Sequence, residues 1–267
     1  MALHNAGVDR FINGMLGEAV AAAASVESRL HTLFPATIAN ELSGNGYGRE
    51  TLTPTAFTRI TSGVYRRLQL PALEWFADAS SQAQTAQAIS LTYGNTLAWD
   101  GEHEVDPEND RVYANAGDIY VGIEMSDAGW VVSQAAMDAG LRALAGEAIA
   151  AGSMFWELHS GAGTPSASNR LTGGGIDGVA AGAWTLSDQG TYRRATQAGV
   201  TISIGLTADT NAQPTRLALW NGRPESSGVL HAYRPISPDE MTEDGSRISI
   251  PASGSDSLYV EVNKSPA

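Results

Sequence analysis

The sequence predicts a mainly β protein with one amphipathic helix per unit, built as two tandem antiparallel β-sandwich domains of jelly-roll-like type related by internal duplication. Three observations predict it: a self-similarity at an offset of 129 residues, one helical apolar stripe in each half, and short alternating runs separated by turn residues. A chain of 267 residues accommodates two such units, residues 1–128 and 129–267, each of ordinary domain size.

The repeat is read directly. LGEAVAAAASVESRLHT from Leu16 returns as AGEAIAAGSMFWELHS from Ala145. After a one-residue gap, Asn40, Leu42, Gly44 and Gly46 align with Asn169, Leu171, Gly173 and Gly175. Tyr65, Arg66 and Arg67 match Tyr192, Arg193 and Arg194, and DIYVGIEM at 118–125 alternates like SLYVEVNK at 257–264. Matches in the same order at near-constant spacing place a division near Ser126 to Gly129.

The first helix is expected where Val8, Phe11, Ile12, Met15, Leu16, Ala19, Val20 and Ala23 share one face, with Asn5 as its cap. The second begins at Ser133, an N-cap residue, and carries Met137, Leu141, Leu144, Ala145, Ala148 and Ile149 on its stripe. Both are expected to lie on a sheet. Beyond them the period changes to short runs such as Ile202, Ile204 and Leu206, or Arg216 to Trp220. Asn45-Gly46, Asn221-Gly222, Ser43-Gly44 and Ser227-Gly228 punctuate these runs as antiparallel turns. No helices interleave with the strands as a parallel sheet requires.

Composition narrows the function. Sixteen basic against twenty-nine acidic residues give a net charge of -13, a field that repels phosphate and argues against nucleic acid and anionic membrane as partners. With no cysteine, disulfides, thiolate metal sites and a cysteine nucleophile are excluded. The alanine run from Ala19 to Ala24 follows Glu18 and does not read as a targeting segment, and no apolar run is long enough to span a bilayer.

Several residues invite a chemical reading. His31 and His159 hold equivalent places, each before a hydroxyl residue, and read as histidines satisfying a local hydrogen bond. Asp100 to Asp110 is the densest acidic stretch, but Val105 and Arg111 stand where a calcium loop needs Gly and Glu, so it reads as a solvated loop, with a cation site or partner contact as alternatives. Leu171 to Val179 lacks the Gly-Lys-Ser/Thr ending of a phosphate loop and reads as a turn. The candidate interface residues are Tyr65, Arg66, Arg67, Tyr192, Arg193 and Arg194: paired guanidinium groups in an acidic protein, able to bind carboxylates of the chain itself or of a neighbour. Trp75, Phe76, Trp130, Phe155 and Trp156 read as core or as an inter-repeat seam.

Leu30, His31 and Thr32, followed by Asn40 to Arg49 with Gly44, Gly46, Tyr47 and Arg49, resemble a tailed-phage structural family labelled tail-fibre-like. Leu158, His159, Ser160 and Asn169 to Gly175 match more loosely, with Ile176 in place of the tyrosine. The resemblance implies a virion protein that is not an enzyme and uses no cofactor, assembled in the host cytoplasm. Its expected place is the outer surface of the head as a decoration or cement protein. Its expected partners are the major capsid protein or other virion subunits, with homo-oligomers on the particle. The competing expectation is a tail, neck or baseplate accessory that binds host glycan by stacking Trp99 or Trp184 on sugar rings.

Overall fold

The computed structural model describes residues 2–43, 47–60, 66–76, 86–102, 111–114, 118–121, 123–125, 131–172, 178–203, 214–224, 227–236, 247–250 and 259–264. The protein is mainly β, with several antiparallel sheets and, among the described residues, two α-helices. In chain order come β1 (Ala2–Leu3), α1 (Asn5–Met15), β2 (Val26–His31), β3 (Glu50–Leu52), β4 (Thr58–Ile60), β5 (Arg66–Gln69), β6 (Leu73–Phe76), β7 (Ala88–Tyr93), β8 (Thr96–Glu102), β9 (Arg111–Ala114), β10 (Asp118–Val121) and β11 (Ile123–Met125). There follow β12 (Val131–Val132), α2 (Gln134–Leu144), β13 (Met154–His159), β14 (Val179–Ala180), β15 (Trp184–Asp188), β16 (Tyr192–Gln197), β17 (Val200–Ser203), β18 (Arg216–Asn221), β19 (Val229–Pro235), β20 (Arg247–Ile250) and β21 (Tyr259–Asn263). The division expected near Ser126 to Gly129 lies outside the described residues.

Both helices are shorter than their apolar stripes. Val8, Phe11, Ile12 and Met15 are buried on α1, each contributing about 1.5–3 kcal/mol of gross hydrophobic stabilisation. The helix stops at Met15 because Gly17 takes φ +77°, a left-handed turn that glycine adopts without steric cost. Val20 and Ala23, expected on the helix, therefore lie in extended chain. Asn5 does not cap: His4 holds the N-cap position, and the Asn5 amide donates to Asp188 at 2.7 Å. On α2 the expected cap forms, Ser133 Oγ accepting from the Ala136 amide at 3.1 Å. That helix ends at Leu144, before Gly146 at φ +97°, so Ala148 and Ile149 also leave it.

Two five-stranded sheets dominate, ordered β1-β8-β7-β2-β3 and β12-β19-β18-β13-β14. Each carries a bulge at a corresponding place, between Leu91 and Thr92 and between Leu219 and Trp220. Ala88 to Thr92 and Leu217 to Trp220 are buried on both faces, so these central strands show no alternation of exposure. Among the described residues there are also the smaller sheets β10-β5-β4 and β11-β21-β16-β15 and the pairs β17-β20 and β6-β9. Each helix packs on a large sheet of its own half and on a small sheet carrying strands of the other, α1 against β8, β16 and β21, and α2 against β19, β4 and β5.

The halves meet along a seam in which corresponding residues face each other. Val20 and Ile149, which are 129 positions apart, exchange both backbone hydrogen bonds at 2.8 Å. Ala23 N donates to Gly146 O, and Gly152 N donates reciprocally to Gly17 O. Ile123 pairs with Val262, joining β11 to β21. Helix ends are satisfied across the seam: Arg10 donates to the Ala143 and Glu147 carbonyls, and His231 Nδ1 donates to Met15 O at 2.9 Å. Asp9 on α1 holds Arg193 of β16, and Asp138 on α2 holds Arg59 of β4. One hydrophobic cluster accordingly runs through both halves, taking in Phe11, Leu68, Leu141 and Val260.

The helices approach closely because small residues face each other. A β-carbon on Gly14 would lie 2.7 Å from Ala139 O, and one on Gly140 would lie 2.8 Å from the Phe11 ring. Gly14→Val and Gly140→Val are each expected to destabilise the protein by about 1–3 kcal/mol or more. Urea denaturation against the wild type measures this, and unchanged midpoints would refute the close contact.

Candidate interaction surface

Two loops are held by the same hydrogen-bond staple. At the end of β2, Asn40 Oδ1 accepts from the Thr37 amide at 2.8 Å and Thr37 Oγ1 accepts from the Asn40 amide. His31 Nδ1 lies 3.1 Å from Asn40 Oδ1 and 3.0 Å from Thr37 O. Both neighbours are acceptors, so Nδ1 carries the proton, and Nε2 accepts from Ser90 Oγ at 2.7 Å. In the second half His159 Nδ1 donates to Asn169 Oδ1 at 2.9 Å, Asn169 Oδ1 accepts from the Ser166 amide, and His159 Nε2 accepts from Trp220 Nε1 at 3.1 Å. Ser90, His31 and Asn40 form a line that a nucleophilic enzyme would use, yet Ser90 and His31 are fully buried. The second half fills the serine's role with an indole that cannot attack anything. The shared requirement is a donor to Nε2. Burial pushes the pKa of both histidines down, against the hydrogen bonds to the asparagines.

Beside each staple lies a buried ion pair of opposite polarity. Arg29, fully buried, donates to Glu41 at 2.9 Å, Glu27 at 2.7 Å, Asn95 Oδ1 at 3.2 Å and the Gly94 carbonyl. Glu41 also accepts two bonds from Arg49, at 2.7 and 3.0 Å. Burial raises the Glu41 pKa, but these guanidinium groups overcome it and hold the carboxyl below its ordinary range. In the second half the fully buried group is the carboxylate: Glu157 accepts from Arg170 at 2.9 and 3.2 Å.

The Tyr-Arg-Arg motif divides between two faces. Alternation along β16 sends Arg193 inward, where it grips Asp9 at 2.6 and 3.0 Å, and Arg194 outward. Arg194, a third exposed, donates to Glu261 and lies 4.2 Å from the Tyr259 ring centroid and 5.7 Å from that of Tyr192. Tyr192, Arg194, Tyr259 and Glu261 thus form a polar aromatic strip on the outside of the β15-β16-β21 sheet. Tyr65 and the Arg66 side chain lie outside the described residues; Arg66 pairs with Val121 through its backbone, and Arg67 is half-buried. Sequence spacing gave no sign of Glu261, whose signal is only that it falls opposite Arg194 in the register.

Other candidates find different places. Asp100 belongs to β8, not to a solvated loop: it is buried, accepts from the Ala36 amide at 2.7 Å and lies 3.3 Å from His4 Nε2. Burial raises its pKa, but the nearby His4 ring and the hydrogen bond from the Ala36 amide prevail and lower it. At the corresponding positions Pro165 has no amide to donate, and Tyr233 stands in place of the carboxylate. Residues 103–110 and 173–177 lie outside the described residues. Trp99 is 3% exposed and packed in the core, which removes it as a sugar-stacking surface. Trp184 is half-buried against both hydrophobic clusters. Trp156 is core; Phe155 lies under Arg223; Trp130 and the Trp75 and Phe76 side chains lie outside the described residues. No group of three metal-ligating side chains occurs among the described residues. Comparisons with protein-family models, curated proteins and solved structures return no match.

Burial also holds His231 below the ordinary histidine pKa. Unfolded histidines take up protons below about pH 6.5, whereas the folded protein takes them only at lower pH. The unfolded state therefore binds more protons in that window, so stability is fully present above about pH 6.5 and falls as pH drops below it. Denaturation midpoints at pH 7.5 and 5.5 should show this loss; equal midpoints would contradict it. Replacing Arg170 with methionine deprives buried Glu157 of its bidentate partner and is expected to cost about 3–5 kcal/mol at neutral pH. The same denaturation assay reads it.

Proposed function

We propose that this chain is a structural virion protein of a tailed phage, a decoration or cement protein on the outside of the head, made of two tandem copies of one helix-plus-β-sandwich unit. The observation that carries this reading is the use made of the recurring residues. His31 and His159, Asn40 and Asn169, Thr37 and Ser166 all hold loops in place, and where Ala218 stands at the register position of Ser90, Trp220 two residues along the strand supplies the hydrogen bond while the nucleophile is lost. Selection that keeps the bond and discards the hydroxyl acts on shape, the property by which a cement protein works.

Duplication is supported by the reciprocal bonds at Val20 and Ile149, the matching bulges and the corresponding sheet orders. The acidic surface favours the outside of a shell over contact with packaged DNA. Its partners on this reading are the major capsid protein and other virion subunits, and two linked units raise the effective concentration of the second contact once the first is made. A tail position with glycan binding is the second reading. The Tyr192, Arg194 and Tyr259 strip favours it in place of Trp99, because aromatic rings on an exposed sheet face can stack on sugars.

Labelling purified virions with a gold-conjugated antibody against the protein tests both. Label on the head supports cement, label on the tail supports the second reading, and particles without label overturn the virion assignment.

A further inference from the structure

Among the described residues four large apolar side chains are exposed, and two of them, Leu33 (56%) and Ile38 (38%), sit on the loop at the end of β2. That loop, Thr32 to Ala39, carries no charge. It is anchored by the His31 and Asn40 staple and by the bond from Ala36 to Asp100, so its apolar tip is presented by a rigid frame. The second half contains an internal control. The loop after β13 is anchored by His159, Asn169 and Ser166 in the same way, yet it carries Gly161, Ala162 and Gly163 in the Leu33 stretch and Ala167 in place of Ile38. The frame stands without large apolar residues, so Leu33 and Ile38 are not required to build it.

At the opposite end of β2 lies an open recess of about 510 Å³, lined largely by apolar groups that include Ala22, Ala24, Val26, Leu52, Pro54 and Ala148. Among the described residues its one charged lining residue is Glu147, which is already held by Arg142 and Arg59. The recess is of ordinary size for a binding pocket and has room for two aliphatic side chains. Tip and recess are separated by the six residues of β2, roughly 20 Å of extended strand, and lie at opposite ends of it. They cannot meet within one molecule.

We propose that the Leu33 and Ile38 tip of one copy seats in this recess of a second copy, giving head-to-tail self-association. The occupant is a second copy because the chain itself supplies both chemically matched halves of the contact. A heterologous contact of this kind leaves one tip and one recess free at the ends and so propagates into open chains or rings. Because every copy carries a charge of -13, the association strengthens as salt screens the repulsion.

Sedimentation velocity of the full-length protein across concentration and salt tests this without reference to any particle. Wild-type protein should form species beyond the dimer, more so at 0.5 M than at about 0.05 M salt, where screening is about threefold shorter in range at the higher value. Leu33→Asp with Ile38→Asp in the tip, or Ala24→Arg in the recess, should each weaken association about tenfold or more. The matched pair Ala162→Asp with Ala167→Asp in the other loop should leave it unchanged. Mixing the tip variant with the recess variant restores one competent contact and should give dimers and nothing larger. A wild type that stays monomeric, a tip variant that associates normally, or a mixture without dimers would each overturn the proposal. Since all substituted residues are exposed, circular dichroism matching the wild type ties loss of association to the contact. None of these outcomes bears on where gold label falls on a virion.

Discussion

The contact of α1 with α2 sets the geometry of everything else. Two helices can come this close only if the residues between them are small, and Gly14, Ala139, Gly140 and Ala143 supply that condition. Close packing at this line places Val20 beside Ile149 and brings each helix against a sheet of the opposite half. Interiors packed to this density transmit displacement, so a shift of the helix pair moves both large sheets at once. Asp9 with Arg193 and Asp138 with Arg59 fix the angle at the rim, where partial exposure makes such pairs orienting more than stabilising.

The molecule satisfies its buried polar groups by a small number of repeated solutions. Helix C-terminal carbonyls are taken by side chains from across the seam, Arg10 and Tyr93 for α2 and His231 for α1. The loop staples solve the same problem for a strand end, using neutral histidine as donor on one nitrogen and acceptor on the other. Coordinated changes appear where the solution differs: Pro165 removes an amide donor, and the acceptor that Asp100 provides in the first half is replaced by Tyr233.

Much of this was legible in the sequence. The β class, the antiparallel pairing, both helices and the Ser133 cap follow from periodicity and turn chemistry, because these are local properties. Helix length did not follow: the stripe continues through Val20 and Ala23 because those residues are also needed at the seam, and burial by a neighbouring half looks the same in sequence as burial on a helix face. Gly17 and Gly146 were the available stop signals. The Arg193 and Arg194 pair was visible, but strand register, which decides that one grips Asp9 and the other Glu261, depends on contacts more than 60 residues away in sequence. Trp99 shows the limit from the other side, since a tryptophan in an alternating strand gives no sign of whether its second face is covered.

The placement of the two buried ion pairs has a consequence for how such a chain reaches its native state. Hairpins 26–42 and 154–171 share Leu, His, Asn and Leu at matching places and are alike enough to compete for each other's site during folding. A traded first hairpin would bring the Arg29 guanidinium to the site that Arg223 borders, while a traded second hairpin would set the Glu157 carboxylate against the Gly94 carbonyl. Each hairpin carries its own counter-charges, Glu27 and Glu41 for Arg29 and Arg170 for Glu157, so a misplaced charge keeps its ion pair and loses the partners that lie outside the hairpin. The contacts that reach beyond the hairpin, Arg29 to the Gly94 carbonyl and to Asn95, are therefore what tie the first hairpin to its own half.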